Sequence, residues 1–365
     1  MYIKNIELEN FRNYINEKID FDKNLNIITG SNAQGKTSLL EGIYICSFGK
    51  SFRTSRDKEM INFGKDFFRI KSCFVKEEEE FIDFVLSKEG KKAAKINGCK
   101  IDKISEIISD YYVVVFSPDD LKIVKEDPEI RRNFIDRELC QIKISYYQSL
   151  LNYKKSLKQR NAYLKKESVD DSMLDVWDTQ LAKEGTKIIH ERMDFIENLG
   201  KISCDIHKSI TEGVEETSFK YISSIEFIKN IKEQEEVFLE ILRGERERDL
   251  YYKNTSRGPH KDDIDILIDN ISIRKYGSQG QQRTAALSMK LAEIEVIKEQ
   301  SGESPILLLD DVLSELDEDR QKYLIKYLND VQVFITSAEI PNTIIKEFPK
   351  HKKINVEKGH FNILK

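Results

Sequence analysis

The chain has 365 residues, of which 39% are hydrophobic and 34% charged, a balance that fits one or two globular domains with a sizeable core. The formal net charge of −5 gives no argument for nucleic-acid binding by the whole protein, so any such surface has to be local. No apolar run approaches membrane-spanning length, and the five scattered cysteines include no CxxC pair. These features exclude a membrane span and a cysteine-based metal site, and they predict a cytoplasmic location without a membrane partner.

The first predicted elements lead to a glycine-rich loop. Residues 2–9 alternate as a strand, and a short apolar strand over 24–29 directly precedes the sequence GSNAQGKT. This sequence fits the phosphate-binding motif GxxxxGK[ST], and a helix is predicted over 36–48 behind it. Backbone N–H groups of such a loop cradle phosphate oxygens, and the helix N-terminus adds a positive dipole.

The motif assigns separate tasks to two of its residues. Lys36 is expected to reach the β- and γ-phosphates of ATP, and the Thr37 hydroxyl to ligate Mg²⁺. The nucleotide-binding residues predicted from the loop are Gly30, Ser31, Asn32, Ala33, Gln34, Gly35, Lys36, Thr37 and Ser38.

Short strands and one turn follow the first helix. Residues 68–75, 81–86 and 112–116 are strand candidates, and Asn97-Gly98 is a strong hairpin signal. Ser117-Pro118 then predicts the start of a helix, because proline favours the first helical turn.

From about residue 129 to 210 the pattern becomes helical. Helices are predicted over 130–166, with one break, and over 172–210, and a strand over 217–224 leads to a charged helix over 231–250. Residues 143–166 contain lysines, one arginine and interleaved tyrosines, with no acidic residue. This stretch is either a solvated helix face or a surface that tracks nucleic-acid phosphates. The second interpretation predicts DNA contacts by Lys154, Lys155, Lys158 and Arg160.

The stretch TSRGPHKDD, residues 255–263, precedes an alternating strand over 264–268. Its histidine, His260, is either a catalytic base or a structural hydrogen-bonding group. The structural role is favoured, because nothing nearby demands an imidazole base.

A second candidate anion site begins at the stretch YGSQGQQR, residues 276–283, which opens a helix predicted over 281–300. Ser278 can cap this helix, and Gly280 keeps its entry free of side chains. The stretch resembles the signature of ABC-type ATPases, in which Ser, Gly and Gln meet the γ-phosphate bound by the other subunit. The resemblance implies catalytic roles in trans for Ser278 and Gln281.

Two acids follow the buried-strand run at 306–309. Asp310 stands where a strand-end carboxylate can hold Mg²⁺ opposite Thr37. Asp311 is aimed differently, and it is the candidate for orienting the attacking water. The sequence SELD at 314–317 resembles the D-loop that accompanies ABC-type signatures.

Together these stretches resemble the bacterial RecF family of DNA replication and repair ATPases, which is related to SMC proteins. The residues that carry the resemblance are ENFRNY (9–14), GSNAQGKTSLLEGIY (30–44), KSFRTSRDKEMI (50–61), VVFSPDDLKIVK (114–125), RRNFIDRELCQ (131–141), SRGPHKDD (256–263), YGSQGQQRTAALSMKLAEIE (276–295) and ILLLDDVLSELD (306–317).

The resemblance implies an α/β fold, an ABC-type P-loop ATPase head with an inserted helical arm lobe. It implies a head formed by 1–125 and 251–365, and an arm lobe at 126–250. In related heads the positions of Arg12 and Asn13 lie near the nucleotide phosphates.

The implied activity is a weak, DNA-stimulated ATPase that forms a homodimer on ATP and binds single-stranded or gapped DNA. The implied partners are RecR, with RecO and RecA in the pathway that loads RecA at gaps, and hence a role in DNA replication and SOS induction. The alternative is an ABC-type ATPase subunit of another machine, such as a transporter. The long basic insertion argues against a transporter.

Overall fold

The computed structural model describes residues 1–108, 110–328, 330–337, 348 and 350–364. The chain divides into two compact units, the first formed by 1–121 with 290–365 and the second by 122–289. Residues 251–289, which the resemblance assigned to the head, therefore belong to the second unit. The functional division into head and arm lobe stays a prediction.

The described residues form both strands and helices. The strands are β1 (Tyr2–Phe11), β2 (Tyr14–Asp20), β3 (Leu25–Thr29), β4 (Phe67–Val75), β5 (Glu79–Ser87), β6 (Lys92–Ile96), β7 (Cys99–Lys100), β8 (Val113–Phe116), β9 (Thr217–Ile222), β10 (Asp263–Ile268), β11 (Ile271–Ser272), β12 (Ile306–Asp310), β13 (Val333–Thr336), β14 (Lys352–Glu357) and β15 (His360–Leu364). The α-helices are α1 (Lys36–Phe48), α2 (Ser105–Ile108), α3 (Pro128–Ile142), α4 (Ile144–Tyr163), α5 (Asp171–Ile210), α6 (Ile231–Gly244), α7 (Arg246–Tyr252), α8 (Ile273–Tyr276), α9 (Gln279–Ser301) and α10 (Glu318–Tyr327).

The first unit contains two sheets. One is antiparallel throughout, with the strand order β2-β1-β4-β5-β6-β7. The other has the order β15-β14-β3-β13-β12-β8, and all its pairs are parallel except β14 with β15. Because β3, β12 and β13 run parallel, their carboxyl ends meet at one edge, where ligands bind in open α/β sheets.

The core of the first unit joins both sheets to α1. Ile6 and Phe68 of the antiparallel sheet, Leu40 of α1 and Leu308 of the mixed sheet belong to one buried apolar cluster. A helix that is surrounded by apolar side chains needs no polar face, which explains why nearly every residue of α1 is buried. This burial fixes the helix start, and therefore the phosphate loop, against the sheet edge.

The second unit is mainly helical, with the 40-residue helix α5 at its centre. Helices α4 and α6 and the three-stranded sheet β11-β10-β9 pack with it. The predicted break within 130–166 is confirmed at Lys143, whose extended backbone (φ −133°, ψ 105°) separates α3 from α4.

Two helix predictions need correction. The segment after Ser117 is a short 3-10 helix over Pro118–Lys122 rather than an α-helix. The charged helix predicted over 231–250 is two helices, α6 and α7, which meet at Glu245. The C-terminal strands β14 and β15 were not predicted.

Candidate active site

The glycine-rich loop joins β3 to α1 in the predicted order of strand, loop and helix. Gly30 has φ 140°, and a Cβ built there would lie 2.3 Å from the Val356 carbonyl oxygen, so only glycine fits this position. No side chain caps α1, and the first N–H groups of a helix have no intrahelical partner. The loop therefore presents unpaired backbone donors and a positive dipole to an anion.

Lys36 lies inside this loop with only 5% of its surface exposed. Its ammonium donates hydrogen bonds to the carbonyl oxygens of Gly30, at 2.7 Å, and Ser31, at 3.3 Å. Lys36 makes no ion pair with any residue that the structure describes. A nearly buried cation that is balanced only by carbonyl dipoles is well placed to gain a phosphate partner.

Thr37 and Asp310 meet although 273 residues separate them. The Thr37 hydroxyl donates to Asp310 Oδ1 at 2.9 Å, and the Thr336 hydroxyl donates to the same oxygen at 2.8 Å. Burial raises the pKa of Asp310, and the hydrogen bonds from Thr336 and Thr37 oppose that rise. A hydroxyl and a carboxylate are hard oxygen donors, the type that Mg²⁺ prefers, so this pair fits the predicted metal site.

The backbone conformation and hydrogen bonds of Asp311 differ from those of Asp310. Its backbone is left-handed (φ 52°), and its N–H donates to the Thr336 hydroxyl at 2.9 Å. The Asp311 side chain is half-buried and lines the cleft beside the phosphate loop. The Thr336 hydroxyl thus contacts both Asp310 and the backbone of Asp311.

Arg12 and Asn13 also reach the cleft, each with a partner in the protein. The Arg12 guanidinium donates to both oxygens of the fully buried Glu41, at 2.6 and 2.8 Å. Asn13 donates to the Gln34 carbonyl oxygen, and the neighbouring Tyr14 hydroxyl donates to that of Gly35 at 2.9 Å. This turn therefore supports the phosphate loop from the side.

The resulting cleft has a volume of about 900 Å³, which is large enough for a nucleotide. Residues of the predicted site line one part of it, including Asn32, Ala33, Gly35, Lys36, Thr37, Ser38 and Asp311. Sequence reasoning did not single out the residues that line the rest, which are Arg53, Lys58, Glu59, Ile61 and Phe63. The Phe63 side chain is fully exposed. Its place in the cleft follows from the fold, because no motif in the sequence marks it.

A C-terminal hairpin completes the loop's surroundings. The N–H of Lys358 donates to Gln34 Oε1 at 2.6 Å, and that of Gly359 donates to the Gln34 carbonyl oxygen at 3.2 Å. The turn between β14 and β15 thus holds the middle of the phosphate loop. No motif marks this contact in the sequence, because its two sides are more than 300 residues apart.

The signature stretch lies in the second unit, where α9 begins at Gln279, two residues earlier than predicted. Ser278 stands just before the helix and is exposed. The Gln281 N–H donates to the Ser278 hydroxyl at 3.2 Å, and the Ser278 N–H donates to Gln281 Oε1 at 2.8 Å. This reciprocal pair is a capping box.

The basic stretch needs one correction. Lys154, Lys155 and Lys158 are exposed on α4, but Arg160 is fully buried. The Arg160 guanidinium donates to Asp178 and Asp249, each at 2.6 Å, so it holds helices together and cannot contact DNA. Two of the interleaved tyrosines, Tyr146 and Tyr153, are also buried in the core. The candidate DNA surface on α4 is therefore reduced to the three lysines.

His260 has the structural setting that the sequence favoured. Its Nε2 donates to the Thr255 carbonyl oxygen at 3.0 Å, which leaves Nδ1 to accept from the Tyr153 hydroxyl at 2.7 Å. Burial lowers the pKa of His260 to about 4, so the ring is neutral at pH 7.

Known proteins are similar to this chain over nearly its full length. A family model described as AAA domain matches residues 5–329. The DNA replication and repair protein RecF of Clostridium perfringens is 48% identical over 93% of this chain and 94% of its own length. The protein of the same name from Clostridium tetani is 46% identical over 98% of this chain and 99% of its own.

Solved structures are also similar to this chain over its full length. The recombination mediator protein RecF-ATPrS in the RecFOR pathway matches with a TM-score of 0.93 and 36% identity, over 100% of this chain and 98% of that one. An Smc head bound to the C-terminal winged-helix domain of ScpA matches with a TM-score of 0.57 and 18% identity, over 100% and 97% of the two chains. The latter likeness shows the ABC-type head fold alone. No helix among the described residues is long and apolar enough to cross a membrane.

Proposed function

The chain belongs to the RecF family of DNA replication and repair proteins, and on that basis we propose that it is a cytoplasmic ATPase of recombinational repair. In this proposal it binds and slowly hydrolyses ATP, forms a homodimer on ATP, and binds single-stranded or gapped DNA. It then assists, with RecR and RecO, in loading RecA at gaps, and so supports replication and SOS induction.

The observation that carries the ATPase proposal is the hydrogen bond between Thr37 and Asp310. It brings the phosphate loop and the end of β12 together at the edge where the cleft opens. A phosphate loop alone occurs in many folds. The hydrolysis of a magnesium-bound nucleotide uses, in addition, a carboxylate at a strand end beside the threonine hydroxyl of the loop, as Asp310 lies beside Thr37.

The residues that the motifs predicted then have separate tasks. Lys36 exchanges its carbonyl partners for the β- and γ-phosphates, and the loop N–H groups hold the remaining oxygens. Thr37 and Asp310 would hold Mg²⁺, which supplies charge neutralisation on the phosphates when bound. Asp311, next to Asp310 and facing the cleft, orients the attacking water. Ser278 and Gln281 of a second subunit close the site on the γ-phosphate.

The proposed DNA-binding surface lies on α4. Lys154, Lys155 and Lys158 are exposed on one helix, and lysines of this kind neutralise backbone phosphates without reading sequence. The Lys154 ammonium lies 3.4 Å from Asp136, so Lys155 and Lys158 are the freer of the three.

The test measures ATP hydrolysis and DNA binding by the purified protein, with and without ATP, on single-stranded, duplex and gapped DNA. We expect ATP to strengthen binding to single-stranded or gapped DNA, and Asp310→Asn to abolish Mg²⁺-dependent hydrolysis. Asp319→Asn is the matched control, because this acid is exposed on α10 of the same unit. Parental hydrolysis by Asp310→Asn, or no DNA binding under any condition, would contradict the proposal.

A further inference from the structure

In the signature stretch, residues 276–283, side chains of the protein itself already accept hydrogen bonds from the donors at the start of α9. The capping box uses the N–H of Ser278 and the N–H of Gln281, two of the donors that the start of α9 could offer to an anion. In the proposed dimer the γ-phosphate of the other subunit needs donors at this helix start. The N–H groups of Ser278 and Gln281 can serve that phosphate only after they leave their present partners.

An acidic side chain takes a further donor of the signature. The Gln281 amide Nε2 donates to Glu215 Oε1 at 2.9 Å, and Glu215 lies in the connection between α5 and β9. Its other oxygen lies 3.1 Å from Nε2 of His207, a fully buried residue on α5. The imidazole Nδ1 in turn lies 3.3 Å from the hydroxyl of Ser288 on α9.

These contacts hold the Glu215 carboxylate in one place. Only 21% of the side chain is exposed, so solvent screens its charge less than that of a surface acid. A fixed negative charge within hydrogen-bond distance of Gln281 opposes the arrival of a phosphate at the same amide, because like charges repel and the donor is already engaged.

We propose that Glu215 restrains the signature, so that the γ-phosphate of a second subunit has to displace the Glu215 carboxylate from Gln281 before the ATP-bound dimer closes. This inference rests on the proposed role of Ser278 and Gln281 in trans. In it, Glu215 is a positioning residue that acts through Gln281 and touches no nucleotide itself.

The direction of the effect separates this role from a merely structural one. Loss of a supporting hydrogen bond should weaken the dimer, whereas loss of the restraining charge should strengthen it. The decisive variant is Glu215→Gln, which keeps an acceptor for Gln281 but removes the charge. The matched control is Glu216→Gln, which removes the neighbouring acid, an exposed partner of Lys208 at 2.7 Å.

Dimer formation is measured by light scattering against protein concentration, with ATP and Mg²⁺. Replacing a charge-assisted hydrogen bond by a neutral one is expected to lower the dimer dissociation constant of Glu215→Gln by about tenfold. Glu216→Gln should match the parent. A Glu215→Gln dimer that is as weak as the parent's or weaker would overturn the proposal.

Hydrogen–deuterium exchange without nucleotide gives a second, independent measurement. If Glu215 holds Gln281, the amides of residues 279–284 should exchange severalfold faster in Glu215→Ala, which lacks the acceptor, than in the parent and in Glu216→Gln. Unchanged exchange in Glu215→Ala would overturn the restraint even if dimerisation changed.

The variant Ser278→Arg tests the underlying proposal separately, because a bulky side chain should block the contact in trans. If Ser278→Arg still dimerises on ATP, the role of the signature in trans is wrong, and the exchange experiment alone then decides whether Glu215 restrains Gln281. If Ser278→Arg stays monomeric while Glu215→Gln dimerises like the parent, only the inference about Glu215 fails.

Discussion

Replacement of Arg160 by Met should destabilise the helical unit and leave the proposed DNA-binding surface intact. The Arg160 guanidinium is fully buried and lies between two fully buried carboxylates, those of Asp178 and Asp249. Asp178 keeps a second partner in the variant, because Arg246 donates to its other oxygen at 2.7 and 2.9 Å. Among the residues that the structure describes, the Asp249 carboxylate keeps only the N–H of Ser256, at 2.9 Å, so this carboxylate bears most of the loss.

The expected magnitude follows from these partners. Removal of one member of a buried ion pair costs about 3–5 kcal/mol, and the retained bond from Arg246 puts this case near 3 kcal/mol. Trp177, the only tryptophan of the chain, is next to Asp178, so its fluorescence during urea unfolding reports on this unit. Lys158→Met, two positions away on the exposed surface, should change the free energy of unfolding by less than about 0.5 kcal/mol.

A third variant separates lost packing from an uncompensated charge. Arg160→Met combined with Asp249→Asn removes the carboxylate together with its partner, and it should recover much of the lost stability, since replacing both members of a buried pair is often nearly neutral. An Arg160→Met protein with parental stability and lost DNA binding would refute this reasoning and return Arg160 to the DNA surface.

Four further predictions follow from the two units. Lys36→Met should lose ATP retention on a filter, since no other described residue replaces its ammonium in the loop; parental retention would contradict the assignment. Asp311→Asn should bind ATP but hydrolyse it more slowly and accumulate the ATP-bound dimer, which normal hydrolysis would disprove. Alanine at Lys154, Lys155 and Lys158 together should make the slope of log K against log salt shallower by up to about 3 for duplex DNA, with ATP binding unchanged; an unchanged slope and affinity would leave these lysines as a solvated face. Because burial lowers the pKa of His260 to about 4, the unfolded chain takes up the proton first as the pH falls. Stability measured by Trp177 fluorescence should therefore decrease between about pH 6.5 and 4, and His260→Gln should reduce that decrease; an equal decrease in both proteins would argue against a neutral buried ring.

Local pattern predicted the parts of the site that a motif or the end of a buried strand marks in the sequence. The helix predicted from the phosphate loop has the observed bounds, because the motif requires a helix there and the apolar residues repeat at helical spacing. The meeting of Thr37 with Asp310 was also expected, since the carboxyl ends of parallel strands share one edge. The capping role of Ser278 followed from its residue type just before a periodic run.

Contacts between distant segments that no motif marks were not predictable in the same way. Arg160 belongs to a run of cations that looks uniform in sequence, and only the arrangement of α4, α5 and α7 shows that it points inward. Arg12 is similar, because its buried partner Glu41 lies on α1 and carries no motif of its own. The hairpin turn at Lys358 contacts Gln34 across most of the chain, and single-sequence patterns carry no information about such pairs.

The position of β3 has a consequence for protein synthesis. This strand lies between β13 and β14, so both of its partners come from far along the chain. A nascent chain that has left the ribosome as far as α9 contains the whole phosphate-binding motif but not the strands that flank it, nor the Val356 carbonyl against which Gly30 packs. Contacts of such long range also slow folding. Nucleotide binding should therefore begin only after β13 and β14 have emerged from the ribosome and paired with β3.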